Sequence, residues 1–148
     1  MSQQKRAISR QISRPWSVTL LAVAVLIMTT LNLIRGWQAI AQWEFLVELL
    51  PITPLYQVLS GLIWSLVWLP LFLGLWLGWA WASQATLYAV LAYSVYHWLD
   101  RFLISVERSN MNLLFSVVVN LALILATYLI LSRRKTLAFF GVLNDQSS

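Results

Sequence analysis

The stretch that decides the fold is residues 49–99, LLPITPLYQVLSGLIWSLVWLPLFLGLWLGWAWASQATLYAVLAYSVYHWL, which contains no Asp, Glu, Lys or Arg. Apolar runs of about 18 or more residues without charges are typical of membrane helices. The whole chain of 148 residues follows the same pattern, because it is 60% hydrophobic and 10% charged, whereas soluble domains are about 25% charged. We therefore predict an all-α integral membrane protein.

Four apolar segments have the length of a membrane span. They are predicted at about 16–34, 55–80, 85–103 and 111–132. A helix needs about 20 residues to cross a hydrocarbon core of about 30 Å, and a helix satisfies its own backbone hydrogen bonds in lipid. The prediction is a single domain, residues 1–148, folded as a bundle of four transmembrane helices.

The connection between the first two spans is predicted to hold a short amphipathic helix at about 37–50. Apolar residues recur there at helical spacing, with Gln and Glu mostly on the other side, and Pro51 and Pro54 follow. Such a helix lies in the plane of the lipid headgroups. Pro70, in the middle of the second span, predicts a kink, because proline removes one backbone donor and crowds the preceding turn.

Charges predict the orientation. Basic side chains concentrate in the terminal segments, 1–14 and 133–148: Lys5, Arg6, Arg10, Arg14, Arg133, Arg134 and Lys135. The two segments on the opposite side hold Arg35, Arg101 and Arg108 together with four acidic residues. The positive-inside rule therefore places both termini in the cytoplasm, and we expect a multi-pass protein of a bacterial inner membrane.

A secretory signal peptide is the competing interpretation of the first span. A basic start, an apolar run and Ala39-Ile40-Ala41 resemble such a peptide with its cleavage site. The apolar run exceeds the usual length of about 7–15 residues, and Arg35 interrupts the approach to the site. The first helix is therefore predicted to remain in the protein.

The end of the third span carries the most chemistry. His97, Asp100 and Arg101 share one face at helical spacing, and with Asn32 and Arg35 they form a predicted polar cluster near the outer interface. Ionisable groups in a membrane helix suggest function, so the cluster could gate a transport path, or His97 could bind a ligand. The alternative is structural: the charges mark the interface, and His97 bonds to a neighbouring helix.

Trp64 and Trp68 form a second candidate site, because they lie one helical turn apart at membrane depth. Their indole N–H groups need acceptors there, or a flat ligand such as a quinone or pigment could stack on them. Packing against neighbouring protein is the simpler interpretation. No bound cofactor and no metal site are predicted, since the chain has no Cys and one His.

Small and polar residues predict where helices pack. Gly74, Gly78 and Ala82 repeat at four-residue spacing, which permits close backbone approach, and Asn120 supplies an interhelical hydrogen bond.

The function predicted from sequence is non-catalytic. Nucleophile motifs, phosphate-binding loops and paired catalytic carboxylates are absent from the sequence, so an enzyme is not expected. The basic residues adjoin membrane segments, which indicates lipid headgroups rather than nucleic acid as their partner. We expect an accessory, scaffolding or assembly subunit that packs against other membrane proteins or itself. The alternatives are a small transporter gated by His97, Asp100 and Arg101, and a quinone-, lipid- or pigment-binding subunit.

Overall fold

The structure, a computed structural model, describes residues 14–49, 54–104 and 113–141, and these parts of the chain are helical without any strand. Three helices, at residues 16–41, 54–77 and 113–131, are long and apolar enough to cross a membrane, which indicates a multi-pass membrane protein. The elements in order are α1 (Trp16–Ala41), α2 (Trp43–Leu49), α3 (Pro54–Leu77), α4 (Ala80–Leu99), a π-helical turn (Asp100–Ile104), α5 (Leu113–Leu131) and α6 (Arg134–Phe139).

The first helix is longer than the sequence predicts. It continues past residue 34 to Ala41, and only Gln42 separates it from the short helix α2. The predicted interfacial helix at 37–50 is therefore divided between the last turn of α1 and α2. Arg35 does not end the helix, because its charge has a partner on α4, and Gly36 is buried in the packing of α1.

The bundle is built around the pair α1 and α3. Apart from Leu21, the buried residues of α1 alternate at spacings of three and four: Val18, Ala22, Val25, Thr29, Asn32, Gly36 and Ala39. The two helices are antiparallel, because Arg14, just before α1, lies over Trp76, near the end of α3. At the other end Gly36 faces Gly61, close to the start of α3.

The crossing of α1 and α3 is a backbone-to-backbone contact. A Cβ atom on Gly61 would lie 2.7 Å from the Asn32 carbonyl oxygen and 3.1 Å from the Gly36 nitrogen. The Ser65 hydroxyl, one turn further along α3, donates to the Gly61 carbonyl at 2.7 Å and lies 3.4 Å from the Thr29 carbonyl oxygen. Close packing of small residues is what associates helices in lipid, where burial of apolar surface gives little advantage.

A tight turn joins α3 to α4, and it changes the predicted role of Gly78. Gly78 has φ +75°, and the Trp79 amide donates to the Gly74 carbonyl at 2.9 Å, which is the hydrogen bond of a Schellman motif. Gly78 therefore closes α3, and it is not on a helix face. Gly74 lies against Ala82 across the turn, since a Cβ atom there would come within 2.7 Å of the Ala82 Cβ, so that Gly74 and Ala82 face each other instead of sharing one helix face.

The helix that corresponds to the third predicted span begins earlier than expected. Helix α4 starts at Ala80 rather than at 85, because the turn needs only Gly78 and Trp79, and its last turns widen into the π-helical turn. The described part of α5 is Leu113–Leu131, and residues 1–13, 50–53, 105–112 and 142–148 lie outside the described residues. Pro70 is inside the unbroken helix α3, and its kink stays a prediction.

Candidate functional site

An ion pair joins α1 to the π-helical turn that follows α4. The Arg35 guanidinium donates through Nη2 to both carboxylate oxygens of Asp100, at 3.2 and 3.4 Å. The side chains are 34% and 16% exposed, so both charges are partly removed from solvent. Asp100 is the first residue of the π-helical turn; such turns are rare and occur frequently at functional sites.

Two tyrosines complete this ion pair. The Tyr56 hydroxyl, on α3, donates to Asp100 Oδ1 at 3.0 Å, and Arg35 Nη1 donates to the Tyr96 hydroxyl at 3.3 Å. We call Arg35, Tyr56, Tyr96 and Asp100 the polar clamp. It connects α1, α3 and α4 near one end of the bundle, and its charges neutralise each other.

Asn32, another member of the predicted cluster, lies one turn before Arg35 and faces into the bundle. It is 3% exposed, and its Nδ2 donates to the Met28 carbonyl at 2.8 Å. Its amide is also next to the Tyr93 hydroxyl of α4. Asn32 therefore connects α1 with α4 one turn below Arg35.

The Trp64 and Trp68 rings are covered by protein. They stack on each other with centroids 6.2 Å apart, and the Tyr93 ring meets both edge-on, at 4.8 and 5.6 Å. Tyr96 lies 5.3 Å from Trp64. The aromatic cluster of Trp64, Trp68, Tyr93 and Tyr96 therefore packs α3 against α4, although the Trp68 Nε1 atom is buried without a hydrogen-bond acceptor among the described residues.

His97 faces a different region from Asp100. Its ring contacts Trp98 at 5.7 Å, and within the described part of the chain it makes no hydrogen bond. It lines a crevice between α1, α4 and α5, of about 670 Å³, whose walls are mostly apolar. Asn120 of α5 lines the same crevice. The structure thus separates the predicted cluster into the polar clamp and this α1–α4–α5 crevice.

Arg101 is half-buried in the π-helical turn and is engaged with another residue. Within residues 14–49, 54–104 and 113–141 no group of three His, Asp or Glu side chains could hold a metal ion.

No family model, curated protein or solved structure matches this chain.

Sequence reasoning missed Tyr56 as a partner of Asp100 and missed the contact between Gly36 and Gly61. Tyr56 gave no signal, because its relation to Asp100 depends on how α3 lies against α4. The glycine contact did have a signal, namely the heptad-like spacing of small residues from Ala22 to Ala39. The polar clamp holds three helices together. The crevice has room for a mainly apolar molecule.

Proposed function

We propose that the protein crosses the membrane four times and acts as a non-catalytic accessory or assembly subunit that packs against another membrane protein. One observation carries this proposal. The charged and aromatic groups inside α1, α3 and α4 engage one another, while α5 has 6% of its most apolar window buried in the bundle.

Contacts along the whole of α4 support a fourth span. Ala82 lies against Gly74, Tyr93 lies against Trp68, and Asp100 is bonded to Tyr56. Helix α4 therefore runs antiparallel to α3 over nearly its full length, so that if α3 crosses a membrane, α4 crosses back. Its 20 residues are sufficient. It is less apolar than the other three because it carries Tyr, Ser and Thr side chains, of which Tyr93 and Tyr96 pack against Trp64.

Exposed tryptophans at both ends support this placement. Trp16, Trp76 and Trp81 are at one end of the bundle and are between 43% and 74% exposed, and Trp37 is 70% exposed at the other. Tryptophan is enriched at membrane–water interfaces. With the basic residues at both chain ends, we place the termini in the cytoplasm, beside a bacterial inner membrane.

Helix α5 is the proposed contact with a partner. Helices associate in lipid through packing and interhelical hydrogen bonds, and α5 has little of either within the described chain. Its outward side chains include Leu121 and Leu125, which are 61% and 58% exposed. A helix from a partner subunit would supply the packing that this chain does not.

The transporter alternative is weakened by the polar clamp. A gate at this end needs an ionisable group that is free to bind and release its substrate, and Asp100 accepts hydrogen bonds from both Arg35 and Tyr56. The ligand-binding alternative is favoured by a separate observation, the α1–α4–α5 crevice.

The absence of cysteine from the sequence permits a direct test. A photoactivatable cross-linker is attached to a single cysteine at Leu121 or Leu125 of α5, and at Leu66 of α3, which is 71% exposed and serves as the control. In native membranes we expect a protein adduct of defined mass from the α5 positions and only lipid adducts from Leu66. Lipid adducts alone from every position would overturn the proposal.

The same cysteine-free chain can be used to test the topology. Single cysteines near residues 5 and 145 should react with a membrane-impermeant maleimide only after the membrane has been permeabilised, because both positions are placed in the cytoplasm. A cysteine replacing Gln42 should react from outside. Labelling of residues 5 and 145 from opposite sides would exclude four spans.

A further inference from the structure

The α1–α4–α5 crevice differs from ordinary packing between helices in its size and length. Its volume of about 670 Å³ is within the range of about 300–1,000 Å³ that small-molecule sites occupy. Phe115 and Ile130 both line it, so that along α5 it extends about 22 Å at 1.5 Å per residue. This shape suits a long chain better than a compact molecule.

The two ends of the crevice differ in polarity. One end is lined by four hydrogen-bonding side chains, two on each of two facing helices and each pair one turn apart: Ser94 and His97 on α4, Ser116 and Asn120 on α5. The other end is lined by apolar groups such as Leu20, Leu123 and Ile130, with Thr127 as the exception. A molecule that matches this wall has a small polar head and a long apolar tail.

The depth of the polar end restricts the kind of head group. Asn120 is seven residues after the first residue of α5, or about 10 Å along the helix axis, so the head must enter the hydrocarbon region. A charged or zwitterionic head group is expensive at that depth. Among the described residues, no Lys, Arg, Asp or Glu lines the crevice to compensate a charge.

The available groups favour a head that accepts hydrogen bonds. The Asn120 amide, the His97 imidazole N–H and the serine hydroxyls can all donate. In the described residues the side chains of His97, Ser116 and Asn120 have no hydrogen-bond partner. Phe115 and Tyr93 also line this end, and they offer aromatic surface to a flat ring.

We propose that this crevice binds a quinone with an isoprenoid or alkyl tail, its carbonyl oxygens held by His97 and Asn120 and its tail lying along α5 toward Ile130. Trp68 also lines the crevice, but its ring stacks on Trp64 and meets Tyr93 edge-on, so the head group is assigned to His97 and Asn120 instead. The proposal concerns binding alone and does not depend on the partner protein of α5.

The test compares three probes on the full chain reconstituted in phosphatidylcholine nanodiscs. Decylubiquinone has a neutral acceptor head and a tail, oleate has a charged head, and hexadecane has a tail only. The readout is the unfolding temperature from circular dichroism, since a ligand that binds only the folded state stabilises it by RT ln(1 + [L]/Kd). We expect the unfolding temperature to rise with the logarithm of decylubiquinone concentration above its Kd, and not to rise with the other two probes.

Substitutions then locate the head group. His97→Leu and Asn120→Leu each remove one hydrogen bond and should weaken decylubiquinone binding about two- to tenfold. Val95→Ala is the matched control, because Val95 neighbours Ser94 on α4, is 60% exposed and does not line the crevice. If a Leu variant does not fold, His97→Phe and Asn120→Ala remove the same hydrogen bonds and carry the same test.

Three results would overturn the proposal. Hexadecane or oleate could stabilise the protein as much as the quinone, which would show that the head is not recognised. The His97 and Asn120 variants could bind decylubiquinone as well as the original chain. A cross-link from a cysteine at Leu123 to a second copy of the chain would show that another helix fills the crevice.

Discussion

Substitution of Gly61 by alanine should push α1 and α3 apart and destabilise the protein. The same substitution at Gly36, on the opposite side of the same contact, should not. A Cβ atom on Gly61 would lie 2.7 Å from the Asn32 carbonyl oxygen and 3.2 Å from the Gly36 Cα. Both are backbone atoms, so neither can rotate away. A Cβ atom on Gly36 would have its nearest neighbour at 3.7 Å, which is an ordinary contact.

The magnitude follows from the displacement required. Moving the carbonyl oxygen from 2.7 Å to a contact of about 3.4 Å needs about 0.7 Å, and a gap of about 0.5–1 Å removes about a quarter to a half of the dispersion attraction between facing atoms. Extra atoms forced into a packed interior cost about 1–3 kcal/mol. Alanine is also a better helix former than glycine by about 1 kcal/mol, but this gain is common to both variants. We therefore expect Gly61→Ala to be less stable than Gly36→Ala by about 1–3 kcal/mol.

The assay is unfolding of each purified variant by increasing mole fraction of sodium dodecyl sulfate in mild detergent, followed by circular dichroism. Gly36→Ala should match or exceed the original chain in stability. Equal stability of the two alanine variants, or a greater loss for Gly36→Ala, would refute the assigned crossing of α1 and α3.

Two further predictions use the same unfolding assay. Asp100→Asn should destabilise the protein by about 1–3 kcal/mol, because it leaves the half-buried Arg35 guanidinium without a counter-charge. In the Asp100→Asn variant, the further substitution Arg35→Gln should lower the free energy of unfolding by less than it does in the original chain. Strictly additive losses of stability would contradict the ion pair. Gly78→Ala and Gly141→Ala should each cost about 1–2 kcal/mol, since both residues have positive φ. Gly78→Ala should cost more than Gly141→Ala, because its Cβ would also lie 2.9 Å from the Phe139 ring, while nothing is within 4 Å at Gly141; equal losses would argue against that contact.

The all-helical, membrane-spanning character of the chain could be predicted because it depends on composition alone. Helix ends were less predictable. The first helix was expected to end before Arg35, since an isolated charge usually marks the interface, and the structure carries it on to Ala41 because Asp100 supplies a counter-charge. That partner is distant in sequence, so no local pattern reveals it.

The candidate site could likewise be predicted only in part. The spacing of His97, Asp100 and Arg101 predicts one shared face, and Asp100 instead belongs to the polar clamp while His97 lines the crevice. The reason is that α4 packs between two neighbours, α3 on one side and α5 on the other, so that residues one turn apart meet different helices. The Trp64 and Trp68 pair was found by its spacing, but its cover by Tyr93 requires the antiparallel packing of α3 and α4.

The ion pair of the polar clamp sets an order for biogenesis. A ribosome delivers the N-terminal part of a chain first, so Arg35 reaches the bilayer well before the acid that neutralises it has been synthesised. Until then its long side chain must extend toward the headgroups to keep its charge hydrated, and the hairpin of α1 and α3 can associate through Gly61 without it. Arrival of α4 then fixes the guanidinium, so that the part of α1 around Arg35 matures later than its contact with α3.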